Sequence, residues 1–230
     1  MNSLHLHRDP VHAAIIDLDG TMVDTLGDFV VALGLTLGEL GLPVVDRAFV
    51  EMTVGKGSEH LLRRTLAQVG GDAALYDAAW AAYQRHYLAI NGQHSAVYPG
   101  VVEGLQRLRA AGLRLACLTN KPTAFARPLL ASKGLDGFFE VVFGGDAFAR
   151  KKPDPLPLLE TCRALGTAPA ATWMIGDSSN DAQAARAAGC PVWLVSYGYN
   201  HGEPIRGVPA DGYLDRLDEL ATRLQLPNPG

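Results

Sequence analysis

The sequence predicts an α/β protein in which a Rossmann-like parallel sheet core carries an inserted all-helical cap. Short β-rich apolar runs alternate with longer Ala- and Leu-rich amphipathic runs, the pattern of a parallel sheet covered by helices. Those short runs are near-continuously apolar, as strands buried on both faces are. A third observation is the interval between the first two strand signals, which is too long for a single crossover.

The first strand is read over residues 11–18 and ends on the turn-prone string Asp17-Leu18-Asp19-Gly20-Thr21. The next strand signal begins only near residue 113, whereas a βαβ unit needs about 30 residues or a little more. Inside that interval, residues 24–40, 57–69 and 73–89 have helical spacing of Leu, Val, Ala and aromatics. Gly41-Leu42-Pro43, Gly55-Lys56-Gly57 and Gly70-Gly71-Asp72 punctuate them. Trp80, Tyr83 and Tyr87 fall at helical spacing and read as the core of this insert rather than a base-stacking platform. Tyr98-Pro99-Gly100 closes it, and a helix over 101–111 follows with Leu105 and Leu108 toward the sheet. Further strands are read over 113–119, 140–143, 172–176 and 192–196, each bounded by Gly, Asp, Asn or Ser. The expected division is a discontinuous core from 1–23 and 98–230, with a cap from 24–97.

Composition agrees with that division. The chain has 230 residues, roughly one and a half times the soft prior of about 150 per domain. Hydrophobic residues make up 48% and charged residues 19%, an ordinary globular balance. Twenty basic against 24 acidic residues give a net charge of −4 with no basic run, so nucleic acid is not an expected partner. Cys117, Cys162 and Cys190 are scattered, odd in number and share no metal-ligand spacing, so they suggest neither a disulfide framework nor a zinc site and fit a reducing cytoplasm. Residues 1–10 lack the apolar run of a signal peptide, and no stretch approaches 18 uninterrupted apolar residues, so no membrane partner is expected. His5, His7 and His12 read as surface residues. Monomer and homodimer fit the sequence equally.

In an open parallel sheet, ligands bind outside the carboxyl ends of the strands. Asp17 and Asp19 follow the first predicted strand, Thr119 and Asn120 the second, and Asp177 and Asp181 the fourth. Carboxylates converging on one buried crevice are costly to desolvate unless paired or bound to a cation. Oxygen-only ligands suit a hard cation, and Mg²⁺ characteristically combines one or two carboxylates with waters and substrate phosphate. Lys152, before Pro153, supplies a positive charge, Thr119 a hydroxyl and Asn120 a backbone amide for a transferring phosphoryl group. Each has a plainer reading. Asp17 and Asp19 suit a turn and a helix cap, Thr119 and Asn120 a turn before the Pro122 helix, and Lys151-Lys152 a solvated surface. Asp181 suits a first-turn position on a helix, a role compatible with a functional one.

Taken together, Asp17-x-Asp19-Gly20-Thr21, Thr119, Lys152-Pro153 and Gly176-Asp177-x-x-x-Asp181 resemble, in order, the motifs of the haloacid dehalogenase superfamily of aspartyl-phosphate phosphatases. The resemblance covers essentially the whole chain, and the helical insert is similar in position to that family's small cap. It implies that Asp17 is the nucleophile and a metal ligand and that Asp19 is the general acid and base. Asp19 would also offer its backbone carbonyl to Mg²⁺, Asp177 would complete the ligands, and Asp181 would orient waters or Lys152. Asp19 also favours phosphate esters, since dehalogenases and phosphonate hydrolases of the family lack an aspartate there.

Tyr197-Gly198-Tyr199-Asn200-His201-Gly202-Glu203-Pro204-Ile205, Val54-Gly55-Lys56-Gly57 and Tyr98-Pro99-Gly100-Val101 are similar to segments of bacterial phosphoglycolate phosphatases. That narrower resemblance implies a small phosphorylated metabolite, 2-phosphoglycolate, with Lys56 meeting its carboxylate; Arg63 and Arg64 read as solvent-facing helix arginines. The alternatives are a phosphatase of another small ester or of pyrophosphate, a β-phosphoglucomutase-like phosphomutase, and a non-catalytic binding protein on the same fold.

Overall fold

The computed structural model describes residues 10–223. His5, His7 and most of the segment read as lacking a signal peptide lie outside the described residues, while His12 is exposed. The chain begins with β1 (Ala13–Ile16), every residue of which is buried, and β1 occupies an inner position in a six-stranded sheet. β2 (Val23–Asp24) follows at once, then the helices α1 (Leu26–Glu39), α2 (Arg47–Thr53), α3 (Ser58–Gln68) and α4 (Tyr76–Ile90). β3 (Ala96–Val97) returns to pair antiparallel with β2, matching Val23 with Val97 and Asp24 with Ala96. This two-stranded clasp is where the chain leaves and re-enters the sheet layer.

After α5 (Val101–Ala110) come β4 (Arg114–Leu118), α6 (Thr123–Ser132), β5 (Val141–Phe143) and α7 (Leu156–Leu165). β6 (Thr172–Gly176), α8 (Ser179–Ala188), β7 (Val192–Val195) and β8 (Gly212–Leu214) complete the layer. The strand order is β5-β4-β1-β6-β7-β8 and all pairings are parallel. β1 takes Arg114 opposite Ala13 on one side and Thr172 opposite Ala13 on the other, so the carboxyl ends of β1, β4 and β6 open together. Alternate strand residues feed the two faces: Ile16 and Ile175 pack with Leu105 and Leu108 of α5, whereas Ile15 and Met174 pack with Leu158 of α7 and Ala185 of α8.

The five strands read from the sequence are present, with a sixth, β8, on the edge. Its three residues are too few for a periodicity to register. Helix α2 is likewise an addition to the sequence expectation; its N-cap Asp46, whose side chain accepts from the Phe49 amide at 2.7 Å, is the local signal that starts it. Helices α1 to α4 bury an apolar cluster of their own, with Leu33, Leu61, Leu62, Tyr83 and Tyr87 fully enclosed. Among the described residues no helix is long and apolar enough to cross a membrane.

Candidate active site

Asp17 stands immediately after β1, where its amide continues the ladder to the Ile175 carbonyl at 2.9 Å and its Oδ1 accepts the Leu18 amide at 2.7 Å. Gly20 then turns the chain at φ +81°, and a Cβ there would lie 2.2 Å from Asp177 Oδ2, so only glycine fits. Thr21 completes the turn, and its hydroxyl donates to Asp177 Oδ1 at 2.9 Å.

Asp177 enters from the end of β6 and is buried. Besides the bond from Thr21, its Oδ2 accepts the Tyr199 amide at 2.6 Å. Gly198 permits that approach, because a Cβ there would fall 2.2 Å from the Asp177 Cβ. Asp181, fully buried in the first turn of α8, closes a capping box with Ser178. Its Oδ2 accepts the Ser178 hydroxyl at 2.7 Å and the Ser178 amide at 3.1 Å, and its Oδ1 accepts from Lys152 Nζ at 2.7 Å. Asp181 therefore fills the helix-start role and the lysine-holding role with different oxygens.

Lys152, not Lys151, reaches inward. Its ammonium lies 3.1 Å from Asp17 Oδ1 and donates to the Leu118 carbonyl at 2.9 Å, while Lys151 pairs with Glu59 at 2.6 Å nearer the surface. Asn120 fixes Lys152 by its backbone: the Asn120 side-chain amide donates to the Lys152 carbonyl at 2.8 Å and its oxygen accepts the Lys152 amide at 3.0 Å. The same Asn120 amide reaches the Gly55 carbonyl of the helical insert at 3.0 Å. Thr119 is buried at the end of β4, and its Oγ1 accepts the Lys121 amide at 3.2 Å.

Electrostatics follow from this packing. Burial pushes the Asp17 carboxyl up to about 7 against the pull of Lys152. Burial and the neighbouring Asp181 and Asp17 charges push Asp177 well above the carboxylate range. Burial alone would lower Lys152, but the Asp17 and Asp181 carboxylates overrule it and hold the ammonium charged. Asp17, Asp177 and Asp181 bring one oxygen each within 4.8 Å of one another. Three carboxylates against the single Lys152 ammonium leave two negative charges over. One divalent cation balances them, and an all-oxygen donor set suits a hard ion. Asp181 is given over to Lys152 and its capping box, whereas the Asp17 and Asp177 carboxylates line the cleft, so these two are the side chains that fit the ion directly.

The cleft above these groups is lined by Asp17, Asp19, Thr119, Asn120 and Asp177 from the strand ends, and by Phe29, Val54, Gly55, Gly57, Ser58 and Leu61 from the insert. Lys56 does not line it; its side chain is exposed on the loop between α2 and α3 whose two glycines do. Arg63 and Arg64 are exposed on α3. Two lining residues carry roles that the sequence reading does not assign. Lys121 is buried, with Nζ 2.8 Å from Asp19 Oδ1. Tyr199 receives the Thr25 and Leu26 amides on its hydroxyl at 3.0 and 3.1 Å and donates to Asp24, joining the cleft to the start of α1. The Tyr-Gly-Tyr-Asn string is the available signal for Tyr199; Lys121, between Asn120 and Pro122, reads as an ordinary turn lysine.

Comparisons with known proteins identify the family and the fold. Residues 11–189 match the model of the haloacid dehalogenase-like hydrolases. A phosphoglycolate phosphatase of Thiobacillus denitrificans is 45% identical over 215 residues, covering 92% of this chain and 95% of the relative. The crystal structure of a predicted phosphoglycolate phosphatase from Haemophilus somnus superposes with a TM-score of 0.89 at 31% identity, over 94% of this chain and 98% of the other. A mutant form of CbbY from Rhodobacter sphaeroides, solved in complex with xylulose-(1,5)-bisphosphate, gives a TM-score of 0.78 at 26% identity, over 91% of this chain and 96% of that one.

Proposed function

The chain belongs to the haloacid dehalogenase-like hydrolases, and we propose that within this family it hydrolyses 2-phosphoglycolate to glycolate and phosphate. The substrate follows the relatives named phosphoglycolate phosphatase, which match over nearly their whole length. The observation that carries the chemistry is the charge balance at the strand ends: three buried carboxylates around one buried ammonium, Lys152, and a further carboxylate, Asp19, on the same loop as Asp17 and paired with a second buried ammonium, Lys121.

In this reading Asp17 is the nucleophile. Lys152 holds one of its oxygens at 3.1 Å and leaves the other to attack phosphorus, forming an aspartyl phosphate. Asp19, two residues along, protonates the departing ester oxygen and later takes a proton from the water that hydrolyses the intermediate. The Thr119 hydroxyl, the Asn120 amide and Lys152 hold the phosphoryl oxygens. A Mg²⁺ ion held by Asp17, Asp177 and the Asp19 carbonyl would supply positive charge to the phosphoryl oxygens during transfer. Asp181 positions Lys152. Residues 24–97 form the cap and the remainder the core, with the cap excluding water during the first step. Lys56 adds its charge beside the cleft. The free cysteines Cys117, Cys162 and Cys190 support a reducing, cytoplasmic setting.

The test is a panel of 2-phosphoglycolate, hexose phosphates, nucleotides and pyrophosphate compared by kcat/KM, with and without EDTA. Phosphate release greatest from 2-phosphoglycolate and abolished by EDTA supports the reading. A hexose 1-phosphate isomerised without free phosphate would assign a mutase instead.

A further inference from the structure

Lys121 is a buried ammonium outside the machinery assigned above. Its side chain is 1% exposed, and among the described residues its hydrogen-bonded ion pair is with Asp19, at 2.8 Å. An ammonium carries three N–H groups. The remaining faces of this one look onto rings of the insert, with Phe29 at 4.4 Å and Tyr87 at 4.7 Å from Nζ to the ring centres.

Lys121 is also the one basic side chain among the described residues lining the cleft. Lys152 is held by Asp17 and Asp181 on the phosphoryl side, and Lys56 is exposed on its loop. An anionic group on the leaving side of a bound ester therefore has one cation within the cleft to meet.

We propose that Lys121 is the specificity residue for the leaving group: it binds the substrate carboxylate, exchanging its ion pair with Asp19 for one with the substrate. The proposal rests on the phosphoglycolate reading and adds the residue that makes the choice. Bond connectivity supports the placement. In phosphoglycolate one methylene separates the ester oxygen from the carboxyl carbon, so the cation that holds the carboxylate must stand beside the acid that protonates the ester oxygen. Lys121 stands 2.8 Å from Asp19. The exchange also has a consequence for Asp19. A buried ammonium without a counter-charge is strongly unfavourable, so Asp19 stays on Lys121 until another anion replaces it. A substrate carboxylate takes that place and frees Asp19 to turn toward the ester oxygen. A neutral leaving group leaves the pair intact, so it both binds weakly and finds its acid engaged.

Lys121→Met and Lys121→Gln, both neutral, test this against 2-phosphoglycolate and ethyl phosphate, in which a methyl group replaces the carboxylate. The second variant can keep one hydrogen bond to Asp19, so either folded variant suffices, as checked by thermal melting. Wild-type protein should prefer 2-phosphoglycolate by at least about 100-fold in kcat/KM, and the variants should lose at least about 30-fold of that ratio. Inhibition by glycolate should weaken by about tenfold in the variants while inhibition by inorganic phosphate changes by less than about threefold. A wild-type preference that survives in the variants overturns the assignment of Lys121 alone. A wild type with no preference for the carboxylate ester overturns the phosphoglycolate reading and this proposal with it.

Discussion

The strand-end cluster and the interior of the helical insert bury their side chains to similar depth with opposite chemistry. Around β1, β4 and β6 the enclosed groups are Asp177, Asp181, Lys152 and Thr119, each held by named hydrogen bonds. Inside the insert they are rings and methyls: Phe29 against Tyr87 at 5.5 Å, and Tyr87 against Phe125 of α6 at 4.8 Å. Phosphoryl transfer redistributes negative charge over the phosphoryl and leaving oxygens, and charges already fixed in a dry site meet it without reorganisation. Choosing a small leaving group requires shape and one correctly placed cation, which an apolar wall sets off. The regions touch at several points, including the Lys151–Glu59 ion pair and the rings around Phe125, and three contacts lie at the cleft. The Gly55 carbonyl accepts from Asn120 and Asn180, Lys121 lies on the rings, and Tyr199 ties Asp177 to the start of α1. Changes in the carboxylate and Lys152 cluster should therefore act on every ester alike, and changes in the insert, or at Lys121 where the core meets its rings, should act by substrate.

The widest separation comes from Asp17→Asn, which should lower phosphate release from every ester by about 10⁴-fold or more while the melting temperature moves by less than about 5 °C. Next is Lys152→Met. It strips the ammonium from Asp17 and Asp181, and should cost about 10²–10³-fold in kcat and about 3–5 kcal/mol of stability in urea unfolding. EDTA should abolish turnover and added divalent cation restore it. Because the protonated form of Asp17 persists up to about 7, protons compete with the cation below that pH. Affinity should rise as pH passes through about 7, with protons released on binding, as calorimetry in two buffers would record. Asn180→Ala removes a 3.3 Å bond to the Gly55 carbonyl and should raise KM by about two- to fivefold with kcat nearly constant. The smallest effect belongs to Lys56→Ala, a change of less than about threefold in kcat/KM that about 0.5 M salt erases. A large loss from Lys56 that is equal for every ester, or a substrate-dependent loss from Lys152, would dissolve the division between the two regions.

The sequence carries the parts of the site that are local. Asp17 to Thr21 is a contiguous loop, and Ser178 with Asp181 is a capping box whose spacing is visible in the residue string. The β-strands that end at these loops are buried on both faces and so announce themselves by unbroken apolarity. What the residue string hides is burial imposed from afar. Lys121 becomes an interior charge because α1 and α4 deliver Phe29 and Tyr87 over it. Asn120 reads in sequence as a phosphate-binding amide, and its side chain proves equally occupied, clamping the Lys152 backbone and the Gly55 carbonyl. Lys56 shows the converse: two flanking glycines suggest reach, and the structure leaves its side chain in solvent.

The clasp of β2 and β3 bears on how the molecule assembles. Pairing Val23 with Val97 brings the two ends of the excursion together beside the sheet. For β1 and β4, which must find each other as parallel neighbours, the chain between them then behaves as a short tether instead of a long loop. Loop-closure entropy grows with the logarithm of the free length, so forming the clasp early lowers the entropic cost of that pairing. Replacing residues 25–95 by a tight turn between the same two strands should leave the parallel layer able to form, with a folding rate at least as high. A core built this way can exchange its helical insert for another of different length without relearning how to fold.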